Sequence, residues 1–328
     1  MRQIPFREAL REAMNEEMRR DDRVFLMGEE VAEYNGAYKV SQGMLAEFGA
    51  RRVIDTPISE LGFTAVAVGA AQNGLRPIVE FMTWNFAVLA LDQILNTASK
   101  MLAMSGGQIS CPIVFRGPNG TAGQLGAQHS TAFEALYTNI PGLKVVSVSN
   151  GYDGKGLLKQ AIRYEEDPVI FMESEVMYGD KSEIPDEEYY IELGKADVKK
   201  QGTDVTIVSF GKMMKIALDA ATELEKEGVN AEVIDLLTIR PLDWMTILES
   251  VKKTNRLMII EEEWPYASVS SEVAYQIQKE GFDYLDAPVR RLTAADAPLH
   301  YAPNLVAAAL PDISKAVKLV KEIMYLKK

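Results

Sequence analysis

Cysteine and histidine are nearly absent from this chain of 328 residues, which holds one cysteine, Cys111, and two histidines, His129 and His300. That count excludes a disulfide framework and any multi-cysteine or multi-histidine metal centre. Cys111 enters an apolar stretch, Ile109-Ser110-Cys111-Pro112-Ile113, so a buried, inert thiol is expected there rather than a nucleophile. Long apolar runs are missing too: none approaches the roughly 18 residues a membrane span needs. Basic charge is in deficit, with a formal net charge of −12, which argues against nucleic acid and favours a basic protein partner. The start, Met1 to Pro5, lacks the apolar core of a signal peptide, and the expectation is a cytoplasmic chain of bacterial type. Phosphate cradles are also wanting. Neither G-x-x-x-x-G-K-[ST] nor a G-x-G-x-x-G between strand and helix occurs. Ser130 beside His129 is not the sharp elbow of a serine hydrolase.

What is present is an alternation of short apolar runs with helical patterns. It predicts an α/β protein of two domains, each with a parallel sheet covered on both faces. Ser41 is expected to cap a short helix ending at Phe48, Phe86 to Ala103 to form one long helix, and Ser130 to cap a helix from Thr131. Met172 to Glu192 is rich in acids, with prolines and tyrosines between them, and reads as an exposed linker at the domain boundary.

The stretch Asp55-Thr56-Pro57-Ile58-Ser59-Glu60-Leu61-Gly62-Phe63 stands at the exit of a short strand and the start of a helix rich in small residues. Ser59 is placed to cap that helix, and Glu60 falls in its first turn with Ile58, Leu61 and Phe63 around it. A first-turn acid often does no more than complement the helix dipole; a carboxylate in an apolar pocket at a strand end is also where α/β sheets bind ligands. The small residues of the helix, Ala65, Gly69 and Ala70 among them, suit close approach by another backbone. His129 lies on a glycine-rich strand-exit loop like Glu60, whereas His300, in a proline-rich turn, reads as a surface or interface residue.

Several strings then carry a resemblance: Gly28-Glu29-Glu30, the stretch from Asp55 to Phe63, Glu80 to Phe86, Met104 to Gln108, Pro112 to Gly120, Ala127 to Ser130, Pro141 to Val146 and Thr238 to Asp243, all in order. With them the sequence resembles the beta chains of pyruvate dehydrogenase, in the thiamine-dependent 2-oxo acid dehydrogenase family of transketolase-like fold. The resemblance implies a pyrimidine-binding domain over 1–185, a linker over 186–194 and a transketolase C-terminal-like domain over 195–328. It implies oxidative decarboxylation of pyruvate with transfer of the acetyl group to lipoamide; a branched-chain 2-oxo acid is the alternative substrate. The cofactor would be thiamine diphosphate, shared in an α₂β₂ heterotetramer with an alpha subunit that holds the diphosphate and Mg²⁺, so no Mg²⁺ site is expected in this chain. A second beta subunit and a dihydrolipoyl acetyltransferase, docking through its subunit-binding domain, would be the other partners.

By position, the resemblance makes Glu60 the carboxylate that hydrogen-bonds the aminopyrimidine ring and His129 the histidine of acyl transfer. Phe86, Tyr34 and Ile58 would line the cofactor pocket. A potassium ion would sit on backbone oxygens of Ile113, Ala161 and Ile162, although Tyr164-Glu165-Glu166-Asp167 is longer than the family's loop there. A non-catalytic assembly role is the reading from another class, and the presence of Glu60, Phe86 and His129 together argues against it.

Overall fold

The computed structural model describes residues 1–326. Its strands are β1 (Arg2–Pro5), β2 (Val24–Gly28), β3 (Val53–Asp55), β4 (Arg76–Glu80), β5 (Val114–Pro118), β6 (Lys144–Ser147), β7 (Val169–Glu173) and β8 (Lys181–Ile184), followed by β9 (Asp197–Lys200), β10 (Val205–Ser209), β11 (Ala231–Asp235), β12 (Thr238–Arg240), β13 (Leu257–Ile260) and β14 (Arg290–Leu292). Among the described residues the first sheet has seven strands in the order β12-β6-β7-β5-β4-β2-β3. Every neighbouring pair from β6 to β3 is parallel, and β12 closes the edge antiparallel to β6. The second sheet runs β14-β13-β10-β11-β9, parallel except for β9 at its edge. The expected parallel α/β architecture is present, with antiparallel edges that the alternation did not announce. β12 belongs to the later part of the chain yet completes the first sheet, so the two halves are sewn together.

Both sheets are buried on both faces, which is why their inner strands read as continuous apolar runs. One core joins the halves, with Phe81, Phe115 and Tyr137 meeting Ile234, Ile247 and Ile259. On the far face of the first sheet the helices Phe6–Arg20 and Gly151–Arg163 pack together, and on the far face of the second the helices Met213–Lys226 and Ile313–Ile323 do the same.

Four local expectations are corrected. The stretch 172–192 is not a linker throughout. Glu173 ends the buried β7, Tyr178 is buried, and β8 pairs antiparallel with β1 at the chain start. Glu173, the first of its acids, is drawn inside because Arg116 is there to meet it. The helix expected over Phe86–Ala103 is broken into a turn of α-helix (Trp84–Ala87), a 3₁₀ turn (Val88–Ala90), a π-helical stretch (Gln93–Ala98) and another short α-helix (Met101–Met104). Ser99 marks the widening, its N–H donating to the Ile94 carbonyl at 3.0 Å and its hydroxyl to Leu95 at 2.7 Å. Ser41 caps nothing: its hydroxyl donates to Val31 at 2.7 Å, and the helix Met44–Phe48 starts after Gly43. Ser130 likewise donates to Gly126 at 2.8 Å, and the helix it was to cap begins later, at Glu134 (Glu134–Thr138).

Candidate active site

Strand order makes the site. Because β7, β5, β4, β2 and β3 are parallel neighbours, their carboxyl ends open along one edge, where parallel sheets bind ligands. Taken in that order, the exits carry Glu175, His129, Phe86, Glu29 and Glu60. Close contact between strands underlies this: a Cβ at Gly28 would stand 2.5 Å from the Glu80 carbonyl, so only glycine lets β2 turn into Glu29 beside β4.

Glu60 opens the helix Glu60–Gln72 and is 5% exposed. Ser59 occupies the cap position but its side chain makes no capping hydrogen bond, so the first turn is fixed instead by Phe63 N–H donating to the Ser59 carbonyl at 3.0 Å. The apolar surround expected for Glu60 is one-sided. Phe63 is buried against Phe81, ring centroids 5.8 Å apart, but Ile58 is 85% and Leu61 49% exposed.

Facing Glu60 is a carboxyl that the sequence reading missed. Glu29 is buried, one of its oxygens has no hydrogen-bond partner, and its carboxyl is pushed up to about 7 by burial and then by the charge of Glu60. The loop after β2 is held toward β3 by Asp55, which accepts from the N–H groups of Ala32 (2.7 Å) and Glu33 (3.1 Å). Tyr34, on that loop, is exposed, and the Lys39 ammonium lies 3.4 Å from its ring centroid.

His129 and Phe86 come together edge to face, with ring centroids 5.0 Å apart. Asn85 ties the two segments, its side-chain oxygen accepting from Thr131 N–H at 3.2 Å. Glu175, on the exit of β7, is a further missed neighbour. Burial raises its carboxyl, against the pull of the Tyr38 hydroxyl and the charge of His129. Its signal was an acid on the exit of a strand, the kind of position that also drew attention to Glu60.

His300 is exposed, as expected. Cys111 is buried and its thiol is pushed up to about 12 by burial, which leaves it unreactive. The carbonyls of Ile113 and Ala161 accept from Val169 (2.9 Å) and Tyr164 (3.3 Å), and that of Ile162 accepts from the Arg76 guanidinium at 3.0 and 2.7 Å. A potassium ion would therefore compete with a guanidinium at Ile162. Among the described residues no three of histidine, cysteine, aspartate and glutamate cluster in a way that would hold a metal ion.

Comparison with known proteins agrees on the fold and the company it keeps. The family model "Transketolase, pyrimidine binding domain" matches residues 2–181, and "Transketolase, C-terminal domain" matches residues 194–315. The pyruvate dehydrogenase E1 component subunit beta of Rickettsia bellii is 57% identical, covering 99% of this chain and 100% of the relative. The protein of the same name from Rhizobium meliloti is 55% identical over 99% of this chain and 71% of its own length. A solved split-gene transketolase, an inactive beta4 tetramer, superposes with a TM-score of 0.81 at 24% identity, covering 99% of each chain.

Proposed function

The chain belongs to the family of pyruvate dehydrogenase E1 beta subunits, and from that premise we propose how it works: as one half of a thiamine diphosphate site that another chain completes. The reaction is oxidative decarboxylation of pyruvate with transfer of the acetyl group to lipoamide of the dihydrolipoyl acyltransferase. Branched-chain 2-oxo acids find no support among these relatives. The observation that carries the proposal is the one-sided site, a buried carboxylate whose apolar neighbours Ile58 and Leu61 face outward.

The residues present fit the pyrimidine end of the cofactor. Glu60 offers a buried carboxylate, Glu29 a buried oxygen without a partner, and Phe86 and His129 an aromatic corner. They do not fit its diphosphate, for which the chain has no cradle. Bound thiamine diphosphate supplies the electron sink for decarboxylating a 2-oxo acid. The chain's own part would be to hold the buried Glu60 carboxyl within hydrogen-bonding reach of the ring nitrogen, where burial strengthens the hydrogen bond. Glu29 keeps its proton up to about pH 7 and so presents Glu60 with a neutral donor rather than a second charge. Phe86 would pack against the ring face, Tyr34 and Ile58 would close the pocket from the rim, and His129 would serve the acyl transfer.

The alpha subunit then supplies the diphosphate and Mg²⁺ contacts in an α₂β₂ assembly with a second beta subunit, and a dihydrolipoyl acetyltransferase docks through its subunit-binding domain. The exposed face of the helix Glu60–Gln72, with Leu61, Ala65 and Val66, and the neighbouring Val88 and Leu89 offer an apolar surface of small and medium side chains for such a partner. We take the pyrimidine-binding part as 1–185 and the C-terminal part as 195–328, with 186–194 between them, in a cytoplasmic enzyme. Reconstitution with an alpha subunit tests the proposal: Glu60→Gln is expected to lower pyruvate decarboxylation by at least about a hundredfold with the fold intact, the scale of losing a positioned proton-transfer group. Near-normal turnover by that variant would remove Glu60 from the mechanism.

A further inference from the structure

The loop that carries His129 is held by the other half of the molecule. It leaves β5 at Pro118 and its neck closes where Gly120 N–H donates to the Thr131 carbonyl at 3.1 Å and Phe133 N–H to the Asn119 side chain at 3.0 Å. Beyond the neck the tip is unsupported: Gln124, Leu125 and Gln128 are exposed, and a Cβ at Gly123 or Gly126 would meet open space. Beside its contact with Phe86 and the tie from Asn85 to Thr131, the placement of His129 therefore depends on the two legs of the neck.

Each leg is gripped by an acid at the carboxyl end of β13. Glu262 accepts from the Thr121 N–H at 2.7 Å and from its hydroxyl, on the outgoing leg. Glu263 accepts from Ala135 N–H at 2.5 Å, just past the returning leg, and from Val269 N–H at 3.2 Å. Lys212, on the exit of the adjacent β10, completes the grip: its ammonium donates to the Thr121 carbonyl at 2.5 Å and lies 2.7 Å from Glu262. Glu262 and Lys212 side chains are each 10% exposed, so the pair is largely shielded from solvent and each charge depends on the other. Gly120 has φ +74°, and a Cβ there would collide with the Glu262 carboxylate, so the backbone is shaped to admit that side chain.

We propose that Glu262 and Lys212 are positioning residues for acyl transfer: the second sheet sets the position of His129 by clamping Thr121. The inference rests on the reading that His129 acts in that transfer. Neither side chain touches the Glu29–Glu60 corner, so the clamp acts on the second half of the reaction and not on decarboxylation. A misplacement of the order of 1 Å at a reacting group costs about a hundredfold, so even partial loosening is measurable.

The experiment uses the reconstituted complex with its alpha subunit and compares Glu262→Gln, Lys212→Met, Lys212→Arg and His129→Asn. Two rates are measured on each: pyruvate decarboxylation with an artificial electron acceptor, and reductive acetylation of a lipoyl domain. Glu262→Gln and Lys212→Met are expected to lower kcat for acetylation by about tenfold or more while decarboxylation stays within about twofold and KM for pyruvate is unchanged. Lys212→Arg, which keeps the charge, is expected to recover most of the loss. Should Lys212→Met fail to fold, Glu262→Gln, which keeps the side chain's size but removes the charge that pairs with Lys212 and anchors the grip on Thr121, carries the same comparison. Acetylation at the wild-type rate in Glu262→Gln, or equal loss of both rates, overturns the clamp. Wild-type acetylation by His129→Asn overturns instead the reading of His129 on which the clamp rests.

Discussion

At the scale of single residues, the pairing of Glu29 with Glu60 makes the site sensitive to pH near neutrality. The Glu29 carboxyl is raised to about 7, by burial first and the Glu60 charge second, so it is protonated below that value and ionised above it. As pH rises through 7, a second negative charge develops against Glu60 and the neutral donor is lost. Decarboxylation is therefore expected to fall along an alkaline limb near pH 7, and Glu29→Gln, neutral throughout, to lose that limb at a cost in kcat of about tenfold or less. The pH–rate profile of the reconstituted enzyme decides it; an unchanged limb in the variant assigns the titration elsewhere. Glu60 and His129 drew attention in the sequence because each lies past an apolar run, and such runs mark strand ends, whereas Phe86 rested on the family resemblance. The Glu29–Glu60 contact was not, because it exists only once β2 and β3 are known to be neighbours. Ser59 and Ser130 misled for a local reason: each precedes a helical pattern, yet neither hydroxyl bonds a helix N–H, and the helix after Ser130 begins only at Glu134.

At the scale of elements, three adjacent strands are locked beneath the site by a buried ion cluster. Arg116 on β5 reaches Glu80 on β4 and Glu173 on β7, and the Tyr178 hydroxyl donates to Glu173 at 2.8 Å. Burial alone would lower the arginine's pKa, but the charges of Glu173 and Glu80 more than reverse it, so the guanidinium stays charged with no exposed surface. Arg116→Met fills much of the volume and leaves two carboxylates buried without their cation. It is expected to destabilise the chain by about 3–5 kcal/mol, the cost of breaking rather than replacing a buried pair. Chemical denaturation measures this, and a loss below about 1 kcal/mol would mean the carboxylates had found protons or water cheaply. The same cluster explains why the acid-rich 172–192 read as a linker. Composition places charges outside, and the cation that brings Glu173 inside lies 57 residues upstream in sequence. The alternation of strands and helices, by contrast, was legible throughout the sheet interiors, where apolar runs need no distant partner. The edge strands β1, β8, β9 and β12, without such runs, were not.

At the scale of the whole molecule, two surfaces bear on assembly, one internal and one external. Internally, Glu134 is raised to about 7, chiefly by burial, and one of its oxygens has no hydrogen-bond partner; Glu263 faces it and is raised well above its usual range by burial and then by Glu134. A carboxyl raised on folding costs nothing below its unfolded value near 4.5 and destabilises progressively as pH rises toward 7. Glu134→Gln is thus expected to come close to the wild type at pH 4.5 and exceed it at pH 8 by about 3 kcal/mol, seen as a higher melting temperature. Equal melting at both pH values would mean that Glu134 ionises freely where it lies. Externally, the helix Glu60–Gln72 shows Leu61, Ala65 and Val66 on the side away from the core, beside Val88 and Leu89, and Val66 is 65% exposed. A charge there has little effect on the isolated chain, since exposed substitutions are usually worth within about 0.5 kcal/mol. Within an interface the same charge would be stripped of water. Val66→Glu is therefore expected to leave the melting of the isolated chain unchanged while weakening association with the alpha subunit by at least about tenfold, or 1.4 kcal/mol. Sedimentation of the mixed subunits reads the association. Full-strength assembly by Val66→Glu would place the partner on another face and leave Glu60 to be completed from there.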